Sequence, residues 1–312
     1  MFDYRIEENG AVITGGGSSE EILIVPETIE EKPVVAVDSR AFYGMKQLVK
    51  VSLPDTVQDI KDYAFAECRS LEHIKMPGAL KKIGDYAFYN CHALKSIDLP
   101  PDLSSMGYGA FKNCSELKKV SLFADEGQRL AVGALIDDSS NEIELHMHDR
   151  AGKLLTKLIF TEFEYDCIIQ VEARQFDWVY HGSGNVYREC ISDSGVDYHK
   201  YDGVFKAAVR EDWPETAMRI ALGRVLYPYK LLNEHKEVYT DYLVSHKEAV
   251  FDWFLAQHDI EALEKCADFL ADRESLDSWI LKAKDAKAPE FVSFLMDYQS
   301  RHYGVLEKQF EL

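Results

Sequence analysis

At 312 residues the chain has room for about two domains with a sizeable core in each. It is 46% hydrophobic and 29% charged, an ordinary soluble composition, and no apolar run approaches the ~20 residues that a membrane helix needs. A net charge of −19 sets nucleic acid and anionic membrane aside as main partners. That charge is uneven. Residues 38–123 hold 12 Lys/Arg and 10 Asp/Glu, and the remainder holds 23 basic and 44 acidic residues.

Residues 1–37 read as an N-terminal cap with an atypical first unit. Phe2 to Ile6 and Ala11 to Ile13 form short strands joined through Asn9-Gly10, a hairpin signal. The opening Met1 to Glu8 has early acids and no apolar core, so a secretory signal is not expected there. Ile22-Leu23-Ile24-Val25-Pro26 has the phrasing of the units that follow. Five more residues separate Pro26 from Ala41-Phe42 than separate Pro54 from Ala64-Phe65, as in an expanded terminal unit.

Residues 38–123 repeat. Ala41-Phe42, Ala64-Phe65, Ala87-Phe88 and Ala110-Phe111 follow one another by 23 residues. Leu48, Leu71, Leu94 and Leu117 keep the same step. So do Val51, Ile74, Ile97 and Val120, and Leu53, Met76, Leu99 and Leu122. Pro54, Pro77 and Pro100 form another column; Cys68, Cys91 and Cys114 form the last, with Met45 in the earliest copy. A period of this length marks a solenoid, whose units bury their apolar side only against neighbours. Within Leu71 to Asn90, Ile74 and Met76 point inward from a strand and His73 and Lys75 outward. Gly84 allows a tight bend, and Asp85 caps a short helical turn that carries Ala87 and Phe88.

The pattern Leu-x-x-Ile-x-Leu-Pro followed by Ile-Gly-x-x-Ala-Phe-x-x-Cys closely resembles the BspA-like class of leucine-rich repeats over roughly residues 20–123. The resemblance implies a parallel-stranded arc with a protein-binding role, in proteins that are commonly bacterial and often displayed on the cell surface. This chain departs on the last point, with neither an export signal nor a surface anchor expected.

After Phe123 the pattern stops. Residues 124–203 read as a small β-rich middle module that also closes the solenoid. In it Glu142 to His148 alternates and pairs with Leu154 to Phe160 across a hairpin loop at 149–153; Asn185 to Ile191 is a further strand. From 204 the period becomes helical. Ala249 to Leu255 is one turn set, and Ile260, Leu263, Cys266, Ala267 and Leu270 form a buried stripe. Leu276, Trp279, Ile280 and Ala283, then Phe291, Phe294, Leu295 and Tyr298, do the same. Pro214 and Pro289 sit at first-turn positions. These short helices look similar to ankyrin-like pairs, although the step is near 29 residues and the Thr-Pro-Leu-His signature is absent. The expected class is α+β multidomain: a leucine-rich-repeat solenoid with parallel strands over 38–123, the β-rich module over 124–203 and an α-helical domain over 204–312.

Candidate chemistry is sparse. His146 and His148 share a strand face and could ligate one metal, but no further ligand follows from spacing. His181, Cys190 and His199 are too widely spaced to define a site. Gly15-Gly16-Gly17 and Gly182-Ser183-Gly184-Asn185 lack the phosphate-loop and nucleophile-elbow patterns and read as turns. Cys167, Cys190 and Cys266 show no CxxC spacing, so all six cysteines are expected as free thiols. No catalytic residue, cofactor or metal is expected.

The stronger signal is the outer face of the strand ladder: Lys50 and Ser52, His73 and Lys75, Ser96 and Asp98, Lys119 and Ser121. Three lysines and a histidine on one sheet face of so acidic a chain suit a protein partner with an acidic surface. The expectation is a cytoplasmic, non-catalytic interaction scaffold or adaptor. The alternatives are an exported adhesin-like surface protein, and an enzyme or metal-binding protein with its site in 140–203.

Overall fold

Each repeat carries more backbone groups than it can satisfy alone, and the fold answers by pairing every side of one coil with the next. The computed structural model describes residues 2–17, 20–125, 127–128, 130–170, 175–192 and 194–304, with the backbone alone for 165–170 and 175–180. The chain divides into two compact units, Met1–Ala217 with Tyr229–Leu231, and Met218–Pro228 with Leu232–Leu312.

The first unit opens with β1 (Phe2–Glu7), β2 (Gly10–Gly16), β3 (Ile22–Ile24), β4 (Thr28–Ile29) and β5 (Lys32–Val37). The coils then supply β6 (Lys50–Ser52), β7 (Asp59–Ile60), β8 (His73–Lys75), β9 (Lys82–Ile83), β10 (Ser96–Leu99), β11 (Ser105–Met106) and β12 (Lys119–Phe123). After these come α1 (Gly133–Asp137), β13 (Ile143–His148), β14 (Leu154–Phe160), β15 (Glu164–Gln170) and β16 (Gln175–His181). The unit continues with α2 (Gly184–Arg188), β17 (Ile191–Ser192), β18 (Gly195–Val196), α3 (Tyr198–Gly203) and α4 (Phe205–Glu211).

β1 and β2 form the expected antiparallel hairpin, and β2 starts a parallel ladder through β5, β7, β9 and β11. The second ladder is made by β3, β6 and β8, then by β10, β12 and β13. The extra residues of the first coil are the β4–β5 hairpin, turned by Glu30 and Glu31 at φ 49° and 61°. Between the ladders runs a third backbone row. Phe42, Phe65 and Phe88 N–H each donate to the carbonyl of Ala64, Ala87 and Ala110, all at 2.8 Å. Tyr63 and Tyr86 (φ 58° and 55°) and Glu67 and Asn90 (φ 64° and 61°) take left-handed conformations. These alternate with right-handed residues, so the N–H groups aim at the next coil and not back along a helix.

That row corrects the expected capped helical turn. Asp85 accepts the N–H of Tyr108 one coil onward, and Asp62 accepts the N–H of Asp85, both at 2.9 Å. Gly84 is required by close approach: a Cβ there would lie 2.5 Å from the backbone nitrogen of Asp62.

The repeat columns are the core. The rings of Phe42, Phe65, Phe88 and Phe111 are buried and stacked with successive centroids 5.2, 5.3 and 4.9 Å apart. The thiols of Cys68, Cys91 and Cys114 donate to the carbonyls of Phe42, Phe65 and Phe88, at 3.2, 3.2 and 3.3 Å. Burial pushes the Cys68 and Cys114 thiols up to about 12, so they are inert donors.

Beyond Phe123 the ladder does not stop. β13 adds in parallel to β12 with Val120 beside Leu145, a step of 25 instead of 23, and β14 returns antiparallel as expected. The strand expected over 185–191 is instead α2 followed by the start of β17. The cause is Arg188, whose buried guanidinium donates to the carbonyls of Gly184, Ile136, Ser139, Asn141 and Thr161. Its contact with Gly184, four residues back, needs a helical turn.

The second unit is helical: the end of α5 (Pro214–Leu226), α6 (Asn233–Ser245), α7 (Lys247–Gln257), α8 (Ile260–Leu270), α9 (Arg273–Asp285) and α10 (Pro289–Tyr303). The expected stripes face inward: Leu263, Cys266, Ala267, Leu270, Leu276, Trp279, Ile280, Ala283, Phe291, Leu295 and Tyr298 are buried, and Ile260 and Phe294 are half-buried. Asp259 and Asp272 cap α8 and α9, and Phe251 stacks on Trp279 at 4.6 Å. Pro214 and Pro289 open α5 and α10.

Removing one ring from the stack, Phe88→Ala, should cost about 3–5 kcal/mol in urea unfolding; a loss below about 1 would place that ring outside the core. Asp38 ties the N-terminal hairpin down through Arg5 and through Lys61 at 3.0 Å, and its carboxyl is pulled down to about 2, chiefly by Arg5. A lowered carboxyl stabilises above its unfolded value, near 3.9, and loses that contribution as pH falls towards 2. The urea midpoint of the wild type should exceed that of Asp38→Asn at pH 6, and the gap should close by pH ~2; a gap constant with pH would remove Asp38 from this role.

Candidate protein-docking face

Strand alternation puts one residue of each short strand into the core and its two neighbours outside. In β6 and β8, Lys50 lies beside His73 and Ser52 beside Lys75; in β10 and β12, Ser96 lies beside Lys119 and Asp98 beside Ser121. Directly paired residues stand about 5 Å apart. The eight positions do not form one unbroken ladder. β8 ends one sheet and β10 begins another, and the Lys95 N–H reaches the Glu72 carbonyl at 3.5 Å across the join.

Lys50, His73, Lys75, Asp98 and Lys119 are exposed, and Ser52 and Ser96 half-buried. Ser121 is different. It is 5% exposed, because β13 continues the ladder and sets His146 directly beside it. The strand β13 is expected from its alternation, but the 23-residue columns do not show that it joins β12, because a two-residue insertion breaks the step. It brings Glu144 beside Lys119 and His146 beside Ser121, with the His146 ring against the Glu144 carboxylate. At the other end, β3 places Ile22 beside Lys50 and Ile24 beside Ser52.

The positive charge is partly answered within the face. Lys75 pairs with Asp55 at 3.3 Å, and Asp55 is lowered first by the Gly78 N–H and then by Lys75. Lys95 pairs with Glu72 at 2.7 Å, and the His73 ring lies 3.9 Å from the same carboxylate. Among the described residues Lys50 and Lys119 have no ion-pair partner. Exposed pairs of this kind contribute about 0–1 kcal/mol each, so the face is an open charge pattern on a fixed backbone.

The other candidates resolve into packing. His148 stacks on Phe123 at 4.7 Å and turns Nδ1 to the Gly152 carbonyl at 3.3 Å, while His146 is occupied by Glu144. Cys190 is buried, donates to the Val186 carbonyl and is pushed up to about 12 by burial, which disfavours a thiolate ligand. His181 and His199 are exposed. Gly182, at φ 83°, is a turn residue and Gly184 begins α2; between them the fully buried hydroxyl of Ser183 donates to Asp212 and contacts Thr161. Cys167 lies outside the described side chains.

Residues 27–129 match the family model described as a BspA type leucine rich repeat region, in 6 copies. Solved structures similar to this region include a leucine rich repeat protein of T. pallidum at 36% identity, over 39% of this chain and 57% of that one, TM-score 0.38. A leucine-rich repeat protein from Bacteroides capillosus is 28% identical over 39% of this chain and 93% of that one, TM-score 0.36. The pneumococcal vaccine antigen PcpA is 20% identical over 46% and 34%, TM-score 0.37. The chain thus spans just over half the length of the T. pallidum protein. No curated protein matches it.

Placing a charge at the two serine positions tests the face directly. Ser121→Lys should cost more than ~2 kcal/mol in chemical denaturation, since it buries an ammonium. Ser96→Lys, at a half-exposed position, should stay within about 0.5 kcal/mol. Equal costs would mean that the two serines share one environment.

Proposed function

We propose that the outer strand face docks another protein with an acidic surface, and that the chain is a non-catalytic scaffold. The supporting observation is that Lys50 and Lys119 stand exposed and unpaired among the described residues of a chain with net charge −19. The face includes Ser52, His73, Lys75, Ser96 and Asp98. Ser121 supports it from beneath as a buried residue. The likeness to leucine-rich repeats accords with this reading, since such repeats act through surfaces.

The helical unit, read as ankyrin-like pairs, offers a second surface within the same scaffold. In this reading the protein is cytoplasmic, in keeping with Cys68, Cys91, Cys114, Cys190 and Cys266 as free buried thiols. An exported, adhesin-like role is the alternative, and fractionation of the source cells with an antibody separates the two.

A fluorescently labelled polyglutamate peptide is the acidic probe. At low salt it should bind the wild type, weaken as salt rises, and bind the triple variant K50E/K75E/K119E at least tenfold less tightly. Equal binding by wild type and variant would overturn the assignment of this face.

A further inference from the structure

β3 is the bare edge of the second ladder. Its inner side is fully used: the Glu21 carbonyl accepts from Lys50 N–H at 3.1 Å, and Val25 N–H donates to the Ser52 carbonyl at 3.0 Å. In a parallel ladder the residues between bonded positions turn both backbone groups to the opposite side. Ile22 and Ile24 therefore present two N–H and two C=O groups outward, and no described strand pairs with them. Their side chains are also open. Ile22 is 55% and Ile24 67% exposed, whereas Leu23 between them is fully buried.

Two other edges are defended. β1 covers β2 and carries Asp3, Arg5 and Glu7 along its length. At the far end β14 is blocked by Tyr201, whose hydroxyl takes the Ile159 N–H at 2.7 Å and donates to the Ile159 carbonyl at 2.8 Å. Natural sheets place charges, prolines or covering segments on such edges, and two exposed isoleucines with free backbone groups are the reverse of that protection.

We propose that the β3 edge binds an extended peptide segment of another protein by strand addition, and that the segment alternates apolar residues between basic flanks. The charge around the edge selects that occupant. Exposed Glu20 and Glu21 lead into β3 and exposed Glu27 follows it, against one neighbouring cation, Lys50 beside Ile22. A second copy would set one acidic β3 against another and be repelled. A three-residue edge also gives too short a row to join two sheets, but it suits a peptide held by backbone bonds with alternate side chains on the isoleucines. This inference does not require the lysine row: it uses a different set of groups and the opposite charge on the partner.

The test uses the full chain and a labelled peptide, Lys-Lys-Val-Thr-Val-Thr-Val-Lys-Lys, followed by fluorescence anisotropy. The expected result is binding with Kd below ~1 mM, weakened at least tenfold by I22T/I24T, which changes no charge and only exposed side chains. A peptide N-methylated on alternate backbone nitrogens should lose binding to the same degree, and one with glutamates in place of the lysines should not bind. No binding by the wild type, equal binding by I22T/I24T, or equal binding of the N-methylated peptide would overturn the proposal. So would a wild-type dimer by light scattering that I22T/I24T abolishes, since the occupant would then be a second copy. Polyglutamate binding measured on I22T/I24T should equal that of the wild type, so failure at this edge is distinguishable from failure of the lysine row.

Discussion

A coil of 23 residues is too short to enclose a core, so everything in the first unit depends on the contact of one coil with the next. The stacked phenylalanines fill the space between the ladders, and the backbone row beside them satisfies the groups that a turn would leave orphaned. Both requirements act on the same residues. The ring sets the distance between coils, and the left-handed residues near it aim the N–H groups across that distance. The cysteine column belongs to this arrangement, since each buried thiol donates to the Phe carbonyl of the preceding coil. Met45 takes that position in the first Ala-Phe coil, where no earlier Phe carbonyl needs a donor.

The outer face is a by-product of the same constraint. Because each strand must send its central apolar residue inward, its neighbours are forced outward, and in-register stacking gathers them in rows. No additional fold energy is needed to display lysines there, and little is gained from them. Their place on a stretch of nearly balanced charge, in a chain of net charge −19, underlies the proposed reading of the face. The bare edge at β3 and the covered edge at β14 mean that the ladder has one end open to pairing and one closed.

The repeat region of the first unit is legible because its period is exact in the columns that pack. Leu48, Val51 and Phe42 each recur in a single environment, so type and spacing carry the fold. Legibility ended where contacts became non-local. Asp85 has the look of a helix cap, but its partner lies 23 residues on, in a coil that local reasoning does not consult. Asn185 to Ile191 has strand-like composition, yet Arg188 draws five carbonyls from distant segments and imposes a helical turn. Alternation sets Ser121 outside because it ignores the next strand; β13 is legible as an alternating strand, but its pairing with β12 is masked by a two-residue insertion. In the helical unit, by contrast, buried stripes and first-turn prolines sufficed to locate α7 to α10, because their signals lie within each helix.

The most direct test of the stacking register is electron paramagnetic resonance on pairs of nitroxide labels across adjacent coils. Labels at Lys50 and His73, or at Ser96 and Lys119, occupy neighbouring strands about 5 Å apart. Both pairs should show strong dipolar broadening relative to the singly labelled chains. Narrow spectra from either pair, in a protein that is otherwise folded, would contradict the coil-on-coil register from which the docking face and the open edge are both derived.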